Sequence, residues 1–170
     1  MGRMMGMGDM IDAMDNMNNL MTEPDPAHPG EYRQKAGGDV MKMMGSMRAM
    51  AMDAKAKSVA HGQQLFNDPE FASGSKGQSC GSCHPSGGTT GGMVDTAMPL
   101  RDGNPAKLPI PPLHGVADAF PKFKVPNNAV VMLPTMCNNC VRMFMGGKRL
   151  DANDQNLRDL VAYLGTLKKS

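Results

Sequence analysis

A chain of 170 residues lies within the usual range for one domain, so we expect one packed unit with at most an appended segment. Its 18 basic and 16 acidic residues give a net charge of +2, and no Lys/Arg cluster alternates with aromatic residues, which excludes a nucleic-acid-binding surface. The five Phe and two Tyr, without any Trp and beside 20 Gly and 13 Pro, predict a small core with much loop, to which a bound cofactor would add apolar mass.

The first 54 residues are dominated by methionine, with 14 of the 20 Met at positions 1 to 52. Spacings of three and four predict two helices, over residues 7–21 and 40–54, in a helical hairpin whose connector contains three Pro and three Gly. The apolar seams of the two helices are Met7, Met10, Met14, Met17 and Met21, and Val40, Met43, Met47, Met50 and Ala54. We expect these seams to cover each other, to form a homo-oligomer or to dock a partner; Cu(I) binding by the thioethers is the alternative.

Targeting signals are weak in this sequence. There is no run of about eighteen apolar residues, so we expect no transmembrane segment. The start MGRMMGMGDMIDAM is interrupted by Gly and Asp before an apolar h-region forms, and it does not predict a signal peptide.

The remaining residues, 55–170, are predicted to form a second domain between two helices. AKAKSVAHGQQLFNDPEF predicts a helix that ends near Pro69 and directs Val59, Leu65 and Phe66 inward. Residues from 73 to about 127 are rich in Gly, Pro and Ser without a sustained period, so we expect mostly loop. The last predicted helix has Asp154 as its N-cap and an apolar face made by Leu157, Leu160, Val161, Leu164 and Leu167.

The stretch CGSCH carries the clearest chemistry in the chain. Cys80 and Cys83 can add to the two vinyl groups of one haem, and His84 is placed to bind the iron from the proximal side. The motif occurs once, which predicts one covalently bound haem c. A zinc site shared with a second CxxC pair is the alternative, but the 53 residues between the pairs exceed the usual zinc-ribbon gap. Because this attachment takes place outside the cytoplasmic membrane, we expect a periplasmic or extracellular protein whose signal peptide is not present in this chain.

The order of these segments resembles a known fold. A helix with GQQLF, then CxxCH, a long loop and a Met-containing turn before LRDLVAYLGTL is similar to the small all-α, class I-like cytochrome c domain, over residues 55 to 168. The implied fold class is all-α with long loops, preceded by the Met-rich helical hairpin.

The distal iron ligand has several candidates: His114, Met93, Met98, Met132, Met136, Met143, Met145, Cys137 and Cys140. In ordinary cytochromes c a Met lies shortly before the last helix, which suits Met143 or Met145. His114, in the Pro-rich PPLHGVA, is the candidate for bis-histidine ligation.

A closer resemblance favours a cysteine. The order PPLHGVADAFPKF, then MCNNCVRMFMGGKRL, is similar to the haem domains of thiosulfate dehydrogenases and of the A subunit of the sulfur-oxidising Sox cytochrome, whose motif RINxCxxRSMNGxxL supplies a distal cysteine. The residues that match this motif are Asn138, Cys140, Met145, Gly147 and Leu150. The resemblance implies that Cys140 binds the iron as a thiolate, while Cys137 is an extra thiol, free or disulfide-bonded.

The sequence therefore predicts a monohaem cytochrome that passes electrons to a redox partner protein in an extracytoplasmic chain, with a link to sulfur-compound oxidation implied by the resemblance. One alternative is the catalytic haem subunit of a thiosulfate dehydrogenase-like enzyme. Another is a Met-rich metal-binding or scaffold protein that carries a haem. The resembled enzymes combine this kind of domain with a further haem, so a single CxxCH favours the electron carrier over a stand-alone enzyme.

Overall fold

The computed structural model describes residues 17–99, 101–125 and 128–169, which combine helices with three two-stranded sheets. The chain divides into two units, Met1–Lys55 and Ala56–Ser170. The boundary falls inside helix α1 (Gly37–Asn67). Of the helices in the described part of the chain, none is long and apolar enough to cross a membrane.

The first unit contains a short antiparallel hairpin ahead of α1. Residues 17–21 are helical, and strand β1 (Thr22–Pro24) pairs with β2 (Tyr32–Gln34) in the segment predicted as a connector. The predicted helix over residues 40–54 is confirmed as part of α1. Residues 7–16 lie outside the described residues, so the Met-rich helical hairpin is not confirmed.

Within the described residues, much of the apolar seam of α1 is exposed. Met47 is 43 % exposed and Met50 is 72 % exposed, while Val40 and Met43 are half-buried. The first Met-rich helix, one of the partners expected for this seam, lies mostly outside the described residues. Homo-oligomerisation through the seam stays a prediction.

The second unit is built around α1, α3 (Leu133–Cys140) and α4 (Gln155–Leu164). The expected N-cap of α4 is confirmed, since the Asp154 carboxylate accepts hydrogen bonds from the backbone N–H groups of Asn156 and Leu157. The buried core residues are Phe66, Phe71, Leu133, Val141, Met145, Leu160, Tyr163 and Leu164. Val59 and Leu65 pack against this core, as the period of the sequence predicts.

Helices α1 and α4 meet at a glycine. A Cβ on Gly62 would lie 1.9 Å from the carbonyl oxygen of Asp159 and 2.9 Å from Cβ of Tyr163, so only glycine allows the two backbones this approach. One turn further along α1, the rings of Phe66 and Tyr163 pack at a centroid distance of 5.3 Å and an interplanar angle of 59°. This crossing fixes the helix that precedes the CGSCH motif against the last helix of the chain.

The all-α prediction is wrong in part, because the region expected to be loop contains strands. Strand β3 (Gly92–Pro99) pairs antiparallel with β4 (Pro105–Ile110), and β5 (Lys122–Lys124) pairs with β6 (Ala129–Val131). Proline lacks a backbone donor and is tolerated only at edges and strand ends, where Pro99 and Pro105 are paired here. Since a two-stranded sheet consists of edges, it accepts a Pro- and Gly-rich sequence that carries no strand signal.

Candidate functional site

The CGSCH motif is held in a single capped turn. Helix α2 (Cys80–Cys83) begins after Ser79, whose hydroxyl accepts a hydrogen bond from the backbone N–H of Ser82 at 3.1 Å. The Ser82 hydroxyl in turn accepts one from the backbone N–H of Ser79 at 3.0 Å, which completes a capping box. The next residue, His84, closes the turn with its backbone N–H bonded to the Cys80 carbonyl at 2.8 Å. The two thiols and the imidazole are therefore presented by one rigid element.

The orientation of the His84 ring is set by a backbone carbonyl. Nδ1 of His84 lies 3.0 Å from the carbonyl oxygen of Pro111. Because a carbonyl only accepts, Nδ1 carries the hydrogen, and Nε2 of the neutral ring keeps its lone pair. Burial lowers the pKa of His84, and the hydrogen bond to Pro111 opposes this in part. This is the tautomer that a metal-binding imidazole needs.

Two hydrogen bonds connect the loop that carries Pro111, through the turn after His84, to α4. The N–H of Leu113 donates to the carbonyl of Gly88 at 2.8 Å, which joins the loop carrying Pro111 to the turn after His84. The hydroxyl of Tyr163 donates to the carbonyl of Gly87 at 2.9 Å, which joins the same turn to α4. Sequence reasoning did not select Pro111, since a backbone acceptor leaves no residue signature.

The four cysteines are free and half-buried, and their thiols influence one another electrostatically. Burial, together with the neighbouring thiols of Cys140 and Cys83, raises the pKa of Cys80 to about 12. Burial also raises the pKa of Cys140 to about 11, with Cys83 acting in the same direction and Lys124 against it. The pKa values of Cys83 and Cys137 are raised by burial as well. The second CxxC is thus brought to the CGSCH turn across more than fifty positions of sequence.

Cys140 lies within a segment, residues 138–150, whose two ends are joined by hydrogen bonds. Cys137 and Cys140 lie in α3, which continues into a π-helical turn, Val141–Met145. The buried amide of Asn138 accepts from the N–H of Leu150 at 2.9 Å and donates to its carbonyl at 3.1 Å, so it closes the loop as a strand partner would. Wide helical turns of this kind are frequent at functional sites.

Four other candidates for the distal ligand, Met145, Met143, His114 and Cys137, have different surroundings. Met145 is 2 % exposed and belongs to the hydrophobic core, whereas Met143 is 61 % exposed. His114 is exposed, and its Nδ1 lies 3.3 Å from the carbonyl of Lys168 near the end of the chain. Cys137 packs against the core. Cys140 is the candidate whose electrostatic neighbours include Cys83 of the CGSCH turn and the cation of Lys124.

A polar cluster around the buried Asp159, outside the CGSCH turn, was also not predicted from the sequence. The carboxylate of Asp159 on α4 accepts hydrogen bonds from Ser58 and His61 on α1, the latter at 2.7 Å, and from Gln155 at 2.7 Å. Nδ1 of His61 is bonded to a carboxylate 98 positions away, a contact that was not predicted from the sequence. This cluster braces the crossing of α1 and α4.

The donor set fits a haem c. The two thiols on one turn could form the two thioether attachments, the imidazole with Nε2 available could bind the iron, and Cys140 is a candidate for a second iron ligand. In residues 17–99, 101–125 and 128–169, no group of three or more His, Cys, Asp or Glu is placed to hold a bare metal ion. The second CxxC is therefore not arranged as a four-cysteine zinc site.

Comparison with known proteins agrees with this chemistry. The family model described as Cytochrome c matches residues 59–168. No curated protein matches the chain. Among solved structures, the thiosulfate dehydrogenase (TsdBA) from Marichromatium purpuratum, in its "as isolated" form, is similar with a TM-score of 0.51 and 21 % identity, over 66 % of this chain and 23 % of that chain. The chain thus spans less than a quarter of that structure's chain, and the likeness shows a shared fold.

Proposed function

The chain belongs to the cytochrome c family, whose members carry covalently bound haem c, and on that premise we propose that it is a monohaem electron carrier of an extracytoplasmic redox chain. The observation that carries the proposal is the CGSCH turn itself, capped by Ser79 and followed by an imidazole whose Nδ1 is held by Pro111. Once bound there, the haem supplies a one-electron Fe(III)/Fe(II) couple. A haem electron-transfer role also implies a redox partner protein.

In this proposal Cys80 and Cys83 form the two thioether bonds, and His84 binds the iron through Nε2. The capping box fixes the spacing of the two sulfurs, and the Pro111 carbonyl fixes the ring plane of His84. Covalent attachment removes both thiols from titration, so their raised pKa values concern the protein before the haem is attached. The buried setting of Cys80 then serves to exclude water from the thioether on that side.

We further propose that Cys140 is the distal ligand, bound as a thiolate. Its place among the neighbours of Cys83 supports this, as does the match of Asn138, Cys140, Met145, Gly147 and Leu150 to the cysteine motif. Met145 would have to leave the core to reach another position, which would cost roughly 2–5 kcal/mol for the cavity left behind. Burial raises the pKa of the free Cys140 thiol, and the cation of Lys124 opposes this in part by favouring the anionic form.

The ligand assignment is tested by spectroscopy on the oxidised protein. We expect a low-spin EPR signal with a compressed g-spread and a low reduction potential, because an anionic ligand stabilises Fe(III) over Fe(II). Cys140→Ala should abolish this signal and raise the potential. Cys137→Ala, the matched control three residues away on the same helix, should leave both unchanged. A near-infrared methionine-to-iron band that disappears in Met145→Leu or Met143→Leu would overturn the assignment.

A second candidate function is catalysis of thiosulfate oxidation with the electrons passed to another chain. The observation that favours it is the cysteine motif around Cys140, together with Lys124, a cation that could attract a sulfur oxyanion. Met136 and Met143 stand where that motif has arginine, which weakens anion binding at those two positions. Turnover of thiosulfate with an artificial electron acceptor separates the two functions: a carrier gives none, and an enzyme gives a rate that Cys140→Ala abolishes.

The location follows from the same cofactor chemistry. We propose a periplasmic or extracellular site of action, because thioether attachment of haem to CxxCH takes place outside the cytoplasmic membrane. Fractionation of the native host, followed by haem staining of the separated proteins, tests this directly. Haem-stained protein confined to the cytoplasmic fraction would contradict it.

A further inference from the structure

Six methionines lie in the first half of α1, and most of their thioethers face solvent. Met41, Met44, Met47, Met50 and Met52 are between 43 % and 72 % exposed, and Met43 is half-buried. A solvent-exposed apolar side chain gains no free energy from burial. Packing within the described part of the chain therefore does not explain why these positions are methionine. The choice of methionine then points to the sulfur atom, which leucine lacks.

The helical spacing divides these residues into two groups. Met43, Met47 and Met50 follow one another at intervals of four and three and lie on one face. Met41 and Met52 lie on the opposite side of the helix, about 160–180° away from Met43 at 100° per residue. Met44 lies between the two faces. One face of α1 therefore carries three thioethers within two turns.

The reach of the side chains allows the three sulfurs to converge. Positions three or four apart on a helix have their Cβ atoms about 5–6 Å from each other. Met43 and Met50 are separated by seven residues, or about 10.5 Å along the axis, with Met47 between them. Methionine is unbranched and has three rotatable bonds, so the outer two side chains can bend towards the central one.

The surroundings do not oppose a cation. One turn away on the same face stand Val40 and Ala54, which carry no charge. Lys42 and Arg48 point away from this face, about 100° and 140° from Met43 by helical geometry. The hydroxyl of Ser46 donates a hydrogen bond to the carbonyl oxygen of Lys42 at 3.1 Å, so it is already engaged and does not interact with the three sulfur atoms.

We propose that Met43, Met47 and Met50 form a binding site for a soft monovalent cation, Cu(I) in the first place. Thioethers are soft neutral ligands that select Cu(I) over the hard or borderline divalent ions. Three of them on a preformed helix provide a trigonal sulfur set, and metal binding changes no bond or oxidation state of the protein. The site is separate in sequence from the haem residues, and it would add metal binding to the electron-transfer function.

The test uses Ag(I), a redox-stable probe of Cu(I) sites, on the oxidised holoprotein labelled with ¹³C at the methionine methyl groups. All proteins in this test carry Cys137→Ala, because a free thiol would bind Ag(I) ahead of the thioethers. We expect the methyl signals of Met43, Met47 and Met50 to shift together and to saturate with one equivalent of Ag(I). Competition with a Cu(I)-specific chromophoric chelator under anaerobic reduction should give one chelator-resistant Cu(I) at the same three residues.

The key variant is Met43→Leu/Met47→Leu/Met50→Leu, which keeps volume and helix propensity while removing the sulfurs. It should bind one Ag(I) fewer than the wild type at unchanged helicity. The matched control is Met41→Leu/Met52→Leu, on the opposite side of the same helix, which should bind as the wild type does. Equal losses in both variants, or methyl signals that move on dilution of the protein and not with Ag(I), would overturn the site; the second result would assign this face to a contact between copies.

Discussion

The carboxylate of Asp159 is 4 % exposed and receives hydrogen bonds from Ser58, His61 and Gln155. Burial raises its pKa, but the bonds from His61, Ser58 and Gln155 together outweigh burial and hold the pKa below its ordinary value of 3.8. A group with a depressed folded-state pKa stabilises the fold at pH values above its unfolded pKa. That contribution is lost as the pH falls through the folded-state pKa.

We expect Asp159→Asn to flatten the acid limb of the stability curve. In the wild type, the free energy of unfolding should decrease below about pH 4, and this decrease should be smaller in the variant. At pH 7 the variant should be less stable by about 1–3 kcal/mol, because Ser58 and His61 lose a charged acceptor. Urea unfolding of both holoproteins between pH 3 and 7 measures the difference. Parallel curves would contradict the role given to Asp159.

The side-chain amide of Asn138 makes two hydrogen bonds to the backbone of Leu150. We expect Asn138→Ala to lower the free energy of unfolding by about 2 kcal/mol or more, because the N–H and carbonyl of Leu150 lose their partners in a partly buried place. The matched control is Asn139→Ala, the neighbouring half-buried amide on α3. Thermal unfolding of both variants measures the effect. Similar losses of stability would contradict a particular contribution of the hydrogen bonds between Asn138 and Leu150.

At the scale of elements, the crossing of α1 and α4 depends on Gly62. We expect Gly62→Ala to destabilise the haem domain by about 3 kcal/mol, because the new Cβ would overlap the Asp159 carbonyl at 1.9 Å and force the helices apart. Gly45→Ala is the control on the same helix, with nothing within 4 Å of its added Cβ. Alanine is the better helix former, so the control should gain about 0.5–1 kcal/mol. Urea unfolding distinguishes the two signs.

At the scale of the whole molecule, the buried core residues of the described chain begin at Phe66. We therefore expect a protein that starts at residue 56, matured with haem, to keep the visible spectrum and reduction potential of the full chain. It should lose the Ag(I) site of α1 at the same time. A shifted potential or an unfolded product would show that Met1–Lys55 supports the haem domain.

Local sequence signals predicted the parts of the domain that depend on short-range order. The period of three and four, with Asp154 as cap, located α4, and the CGSCH motif selected the haem-attachment turn. The pairing of β3 with β4 was not predicted, because the Pro-containing ends of these strands carry no strand pattern. Two hydrogen bonds were not predicted either: the one from His61 to Asp159 and the one from His84 to the carbonyl of Pro111. Each joins distant positions, and a single sequence carries no record of which distant residues meet.

The bond between Ser58 and Asp159 spans 101 positions, and the CGSCH turn lies inside that span. A ribosome or a translocation channel delivers the chain from its N-terminus, so α1 and both thiols emerge long before α4 can dock. During that interval Cys80 is not yet covered by the core against which it packs in the finished domain. The late arrival of α4 thus leaves a period in which an attachment enzyme can reach both sulfurs. We therefore expect haem attachment to precede the docking of α4.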